Sequence, residues 1–143
     1  MVDGFTAAEL VEIRSLVLAD VATSGVALGE FTLFDGRSSA GTSPDAYRVI
    51  EGDIGPTDDL FAQVDGHWMR IAADTVPDAA SMVLAQLQDD IIDALGRGWP
   101  EIVDANNRFE GVAVARGESA GEPAGWYVNT RRLCAIGRLA RHQ

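Results

Sequence analysis

The chain contains no lysine, so its eleven positive charges are all arginines, set against twenty-two carboxylates in a formal net charge of −11. This excess of negative charge opposes binding to nucleic acid through the phosphates, which requires clustered Lys and Arg. Cysteine occurs once, at Cys134, so no disulfide can form within the chain. With one Cys and two His, the chain also lacks a ligand set of the usual spacing for zinc.

Long apolar runs are missing as well. The most apolar stretch, 16–22, is short and includes Asp20, whereas a membrane span needs about twenty apolar residues. The first residues carry Asp3 and Glu9 without a positive charge, which predicts no signal peptide. Together with the lone cysteine, these features predict a cytoplasmic protein that is not secreted by a signal peptide.

What the chain does have is core-forming sequence. Its 143 residues are 47% hydrophobic, which is enough for one domain with a buried core. A first amphipathic helix is predicted at about 7–23, where Thr6 and Glu9 can form a capping box. A second begins near Thr75, with Pro77 in its first turn, and ends at Gly96. The predicted buried positions are Leu10, Ile13, Val17 and Val21 in the first helix and Leu84, Leu87, Ile91 and Leu95 in the second.

Strand patterns surround these helices. Residues 29–34 and 47–50 are predicted strands, and residues 36–46, rich in Gly and Ser, are predicted to form an exposed, mobile loop. Asp65-Gly66 predicts a two-residue hairpin turn that pairs Val64 with His67 and, further out, Ala62 with Met69 and Leu60 with Ile71. In the final third, 109–114 and 126–128 are predicted strands, whereas 133–139 is compatible with a strand or a helical turn. We therefore predict a single α+β domain over 1–143, with two amphipathic helices packed on antiparallel sheet.

The second face of the hairpin combines aromatic and polar residues. It carries Phe61, Gln63, Trp68 and Arg70, so it is either a second, thinner layer of packing or a contact surface. Of the three tryptophans, at least two are expected in the core.

Charge is unevenly distributed. Residues 1–107 hold nineteen acids and five arginines, a net of −14, whereas residues 108–143 hold three acids and six arginines, a net of +3. The basic C-terminal segment 131–143 carries Arg131, Arg132, Arg138 and Arg141. These arginines either form a solvated face or contact an acidic surface, of this chain or of a neighbour.

The sequence shows no clear pattern of catalytic or metal-binding residues. The acidic residues of 51–59 do not have the spacing of a calcium loop, which favours a solvated turn, and residues 104–107 are predicted to be a turn for the same reason. His67 is predicted to be a strand-end side chain and Cys134 a small buried thiol, so neither is expected to be catalytic. No catalytic residue, cofactor or metal is predicted, although an enzyme that acts through scattered carboxylates is a third and less favoured hypothesis.

Two segments carry a resemblance. Residues 59–74, an apolar strand, a Gly turn and then Trp68, one residue and Arg70, are similar to a short hairpin of bacteriophage tail-fibre and related virion proteins. Residues 88–101, 112–114, 126–128 and 135–139 resemble small uncharacterised proteins of actinobacteria and their phages. Those proteins usually carry Cys and His after the Trp-Pro step and Cys after the second Trp. This chain has Glu101, Ile102 and Val128 there, so the resemblance implies no metal site.

These observations predict a non-enzymatic structural or assembly protein, in particular a minor phage virion component at the head–tail connection or in the tail. Its location would be the cytoplasm or the assembled virion, and its partners would be copies of itself or neighbouring virion proteins, with no nucleic-acid phosphates and no membrane. The predicted interaction residues are Phe61, Trp68, Arg70, Arg131, Arg132, Arg138 and Arg141. The alternative is an acidic cytoplasmic inhibitor, an immunity protein or a DNA mimic, that covers a basic partner protein.

Overall fold

The structure, a computed structural model, describes residues 4–29, 31–35, 40–41, 60–64, 67–118 and 121–142. Within these residues, two α-helices and three small antiparallel sheets form one small α+β domain, which confirms the predicted fold class. In chain order the elements are α1 (Ala7–Ala22), β1 (Phe31–Asp35), β2 (Ala40–Gly41), β3 (Leu60–Val64), β4 (His67–Ile71), α2 (Val76–Leu95), β5 (Glu101–Val103), β6 (Phe109–Val112), β7 (Val114–Arg116), β8 (Gly125–Val128), β9 (Arg131–Cys134) and a 3-10 helix (Leu139–His142).

Helix α1 begins and packs as its sequence predicts. The Thr6 hydroxyl accepts from the backbone N–H of Glu9 at 3.1 Å, and the Glu9 carboxylate accepts from the N–H of Thr6 at 3.0 Å, which completes the capping box. The predicted apolar stripe is buried along the helix. One further residue of α1 is fully buried, the charged Asp20, which the apolar pattern did not predict.

Helix α2 is also bounded by the predicted signals. The Thr75 hydroxyl accepts from the N–H of Asp78 at 3.3 Å at the N-terminus, and Gly96 ends the helix with a φ of 69°, a left-handed conformation that suits glycine. Leu84, Leu87 and Ile91 are buried as predicted, whereas Leu95 in the last turn is only partly buried. Helices α1 and α2 pack against each other. The two helices thus supply one side of the main core.

The first sheet has the strand order β2-β1-β3-β4. The predicted hairpin register is confirmed, because Leu60 pairs with Ile71, Ala62 with Met69 and Val64 with His67. Strand β1 extends to Asp35, one residue beyond the predicted end, and buries Phe34 and Asp35 in addition to Phe31 and Leu33. Within the predicted loop 36–46, Ala40–Gly41 forms the short strand β2. The rest of that loop, the predicted strand 47–50, the acidic residues 51–59 and the turn 65–66 lie outside the described residues.

The last third is divided differently from the prediction of one strand over 109–114. Strand β6 pairs with β5, whereas β7 belongs to a separate sheet of order β7-β8-β9. The change of sheet occurs at Ala113, which is buried between them. Its N–H donates to the carbonyl of Pro100 at 2.9 Å, and its carbonyl accepts from Gln88 Nε2 at 2.7 Å. Because the N–H and the carbonyl of Ala113 bond to Pro100 and Gln88, they do not take part in strand pairing, and the strand is interrupted at this residue.

The segment 133–139, which the sequence left open, contains both structures in part. Leu133 and Cys134 end β9, a turn follows, and the 3-10 helix begins at Leu139. Trp99, Trp126 and Cys134 are buried, as predicted. Neither helix in the described part of the chain has the length and apolarity to cross a membrane.

Candidate interaction surface

The hairpin residues predicted for interaction do not form one exposed face. Phe61 is 2% exposed and lies in the core, so of the two interpretations that the sequence left open, this ring belongs to a layer of packing. Contrary to the prediction, Phe61 is therefore not an exposed contact residue of the folded chain. Arg70 is exposed, and its guanidinium carbon lies 5.8 Å from the centroid of the Phe61 ring, a cation–π distance. The side chain of Trp68 lies outside the described part of the structure.

The arginines of the basic C-terminal segment are partly engaged within the chain. Arg131 Nη2 donates to Glu110 Oε1 in an ion pair between β9 and β6, and Arg132 Nη2 donates to the carbonyl of Ala124 at 2.9 Å. Arg138 is exposed, and the side chain of Arg141 is outside the described residues. These arginines belong to the third sheet and the segment after it, whereas Phe61 and Arg70 belong to the first sheet.

A surface that the sequence did not predict lies on the two-stranded sheet β5-β6. Val103 and Phe109 are cross-strand partners, and their side chains are 53% and 65% exposed. Glu101 and Val112, the next pair on the same side, are exposed and half-buried respectively. We call these four residues the outer face. Large exposed apolar side chains that lie side by side are typical of contact sites.

The opposite side of the same sheet packs against the rest of the domain. Ile102 is buried, and its partner Gly111 lies so close to β8 that an added Cβ would be 3.4 Å from Val128 Cγ1. The pairing shifts by one residue after Ile102, a β-bulge that leaves Glu110 without a cross-strand partner in this sheet. The bulge is why Val103 and Phe109 share a side, which strict alternation from the sequence could not predict.

The turn that joins β5 to β6 is well ordered by its own hydrogen bonds. Asp104 Oδ1 accepts from the N–H groups of Asn106 at 2.8 Å and Arg108 at 3.0 Å. Asn107 adopts a φ of 61°, a conformation that Asn tolerates better than most residues. This confirms the predicted turn and means that Phe109 is presented on a rigid loop end, which lowers the entropy cost of a contact.

The two-stranded sheet and its turn carry charged residues of both signs. They are Glu101, Asp104, Arg108 and Glu110, the last of which forms an ion pair with Arg131 of β9. The whole chain carries a net charge of −11, which opposes contact between two copies wherever like charges meet.

A buried polar centre lies beneath the third sheet. The carboxylate of Asp20 is fully buried and accepts three hydrogen bonds: from Trp126 Nε1 at 2.7 Å, from the N–H of Gly137 at 2.7 Å and from the N–H of Leu139 at 3.0 Å. Three donors from distant parts of the chain stabilise the charge away from water. The carboxylate is thereby a structural anchor, with its oxygens already engaged.

Two tryptophans connect this centre to the end of α1. The Trp99 and Trp126 rings meet edge to face, with centroids 5.5 Å apart. Trp99 Nε1 donates to the hydroxyl of Thr23 at 3.2 Å, and that hydroxyl donates to the carbonyl of Asp20 at 2.7 Å. In the described part of the chain, every buried side-chain nitrogen and oxygen has a hydrogen-bond partner. The centre therefore offers no unsatisfied group to a ligand.

A cleft of about 460 Å³ is lined in part by the acidic residues Asp74, Asp78 and Glu118. Asp78 Oδ1 accepts from the N–H of Glu118 at 2.9 Å, and Glu118 Oε1 accepts from the hydroxyl of Thr75 at 2.9 Å. These bonds tie the loop after β7 to the start of α2. No set of three or more His, Cys, Asp or Glu residues among those described is arranged to hold a metal ion.

Burial raises the pKa of the Cys134 thiol from 9.0 to about 11; the nearby Asp20 carboxylate adds to the rise and Arg132 opposes it. Since the thiolate is the reactive form, a higher pKa leaves less of it at any pH below 11. We expect alkylation at pH 8 to be at least about 100-fold slower in the folded protein than in the urea-unfolded chain, since each pKa unit is a factor of ten. Iodoacetamide kinetics followed by mass spectrometry measure this, and equal rates would contradict the buried placement.

No protein-family model, curated protein or solved structure matches this chain.

Proposed function

We propose that this chain is a non-enzymatic assembly protein that associates through the outer face. The observation that carries the proposal is the exposed pair Val103 and Phe109, held on a rigid turn while the opposite side of the same sheet is buried. Aromatic side chains in such positions supply much of the energy of protein contacts. The hydrogen bonds that occupy the buried carboxylates also favour a structural role over catalysis.

A second copy of the chain is the partner that this surface fits best. Two molecules of net charge −11 approach with less repulsion where charged residues of both signs are present. In a two-fold contact each copy offers the same patch, so Arg108 of one copy can face Glu101 or Asp104 of the other while the Phe109 rings pack together. The contact would thus combine apolar burial with complementary charge.

A minor virion component at the head–tail connection or in the tail of a phage is the setting we propose for this assembly. The resemblance of residues 59–74 to a virion hairpin supports it. The exposed Arg138 is suited to contact an acidic neighbour, as predicted for the basic C-terminal segment. Arg131 is less suited, because its ion pair with Glu110 would be lost first.

The second candidate, an acidic inhibitor of a basic protein, is favoured by one feature of α2. Asp89, Asp90 and Asp93 are exposed in the last two turns of this helix, where the negative end of the helix dipole disfavours negative charge. Negative charges in these positions lower the stability of the helix, and a basic partner that neutralised them would explain their presence. Such an inhibitor would bind one to one, and salt would weaken the complex.

Sedimentation velocity of the purified wild-type chain, over a range of concentrations and at low and high salt, tests the proposal. We expect a reversible shift from monomer to dimer or larger species with rising concentration. Because added salt screens the net repulsion, association should persist or strengthen at high salt. A chain that stays monomeric at every concentration and salt would contradict self-assembly. If that monomer also formed a salt-sensitive complex with a basic protein, the inhibitor would be favoured.

A further inference from the structure

The segment that follows β9 is attached to the fold by a small number of specific contacts. This segment, Ala135–His142, is called the strap below. Two of the three hydrogen bonds to the Asp20 carboxylate come from its backbone, at Gly137 and Leu139. Two apolar side chains, Ile136 and Leu139, anchor it in the core. The two hydrogen bonds join residues that are more than a hundred positions apart. The strap is therefore held by tertiary contacts and not by contacts between neighbours in sequence.

The strap has little structure of its own. Its regular part is a 3-10 helix of four residues, preceded by a turn in which the N–H of Arg138 donates to the carbonyl of Ala135 at 3.2 Å. Helices this short are not stable in isolation. The strand pairing of the third sheet ends at Cys134, which is the partner of Trp126. The strap is thus a unit whose order depends on its anchors, the kind of unit that opens locally before the rest of a fold.

Opening of the strap would expose buried groups that lie next to it. Cys134 is the cross-strand partner of Trp126, and the Trp126 indole donates to the Asp20 carboxylate at 2.7 Å, so the thiol and the carboxylate lie on either side of the same residue. All three residues are buried. Departure of the strap removes two of the three donors from that carboxylate and uncovers the end of β9.

We propose that the strap opens as a unit while the rest of the domain stays folded, and that the Asp20 carboxylate is the latch that controls it. Opening gives solvent access to Cys134 and releases Arg138 from its position on the surface. The inference concerns a conformational device and goes beyond the proposed assembly function, so either can fail without the other.

The test uses Cys134 as a reporter, since it is the only cysteine in the chain. Thiol labelling of the wild-type protein is measured at increasing urea below the unfolding transition, and global stability is measured separately. Where closing is faster than labelling, the rate follows the population of the open state. A locally opening strap gives a rate that changes little with urea until global unfolding takes over. A rate that rises in proportion to the globally unfolded population throughout the urea series would overturn the proposal.

Three variants sharpen the test. Asp20→Asn weakens the latch, and Gly137→Ala weakens the strap independently, because Gly137 has a φ of 89° and an added Cβ would collide with Leu16 Cδ2. Asp35→Asn is the matched control: Asp35 is also fully buried and accepts from the N–H of Phe5 at 2.8 Å, but it lies in the first sheet.

We expect Asp20→Asn and Gly137→Ala to raise the urea-independent labelling rate at least tenfold, and Asp35→Asn to leave that rate near the wild-type value. If the three variants accelerate labelling only in proportion to their loss of global stability, the strap does not open as a separate unit. Should Asp20→Asn fail to fold, Gly137→Ala and the wild-type urea series decide the matter.

Discussion

Replacing Asp20 by Asn is expected to lower the free energy of unfolding by about 3 kcal/mol, since hydrogen bonds to charged groups contribute about 1.5–3 kcal/mol each. The carboxylate accepts three bonds, two at Oδ2 and one at Oδ1. An amide has one oxygen and one NH₂ group, so at least one buried N–H must then face another donor. Leaving a buried donor unpaired is among the more costly changes a core can undergo.

Urea unfolding followed by Trp fluorescence measures this loss, and Asp93→Asn provides the control. Asp93 undergoes the same chemical change on the exposed face of α2, so its free energy of unfolding should stay within about 0.5 kcal/mol of the wild type. If Asp20→Asn were as mild as Asp93→Asn, the buried polar centre would not stabilise the fold in the way we describe.

The double substitution Val103→Ser and Phe109→Ser is expected to weaken self-association at least tenfold while leaving the free energy of unfolding nearly unchanged. Both side chains are more than half exposed in the single chain, so their removal costs the monomer little. In a contact between copies the same side chains would be buried, and central aromatic residues of that kind contribute more than about 1–2 kcal/mol each. A tenfold change corresponds to about 1.4 kcal/mol.

Val11→Ser is the matched control for this prediction. Val11 is 64% exposed, as much as Phe109, but lies on α1 away from the two-stranded sheet. Dissociation constants from sedimentation equilibrium should be the same for this variant and the wild type. Equal weakening by both variants would indicate a general effect of surface apolarity and would remove the outer face as the site of contact.

The two helices and the hairpin could be predicted because their signals are local. Thr6 and Glu9 cap α1 through bonds that span three residues, and Thr75 and Gly96 bound α2 in a similar way. Alternation of apolar side chains about a two-residue turn likewise fixed the register of β3 and β4. Signals of this kind are contained within one element, so they survive whatever the tertiary packing does.

The buried centre could not be predicted, because its partners are distant in sequence. Asp20 interrupts the apolar stretch 16–22, and within the sequence this interruption indicates only that the stretch is not a membrane span. Its donors lie more than a hundred residues further along the chain. A charged residue within the buried stripe of a predicted helix nevertheless indicates that the core supplies hydrogen-bond partners for it.

The outer face escaped prediction for a different reason. Residues 109–114 alternate as one strand, and only the contacts of Ala113 with Pro100 and Gln88 divide them between two sheets. The bulge then places Val103 and Phe109 on one side. For Phe61, conversely, the sequence could not distinguish a packed ring from an exposed one, because both faces of the hairpin strand carry large side chains.

Backbone hydrogen exchange of the wild-type chain, compared between dilute and concentrated solution, tests the central claim most directly. We predict that added protection at high concentration centres on residues 101–112, the two-stranded sheet and its turn. Protection that appears instead along α2, or no change at any concentration, would contradict an assembly role for the outer face.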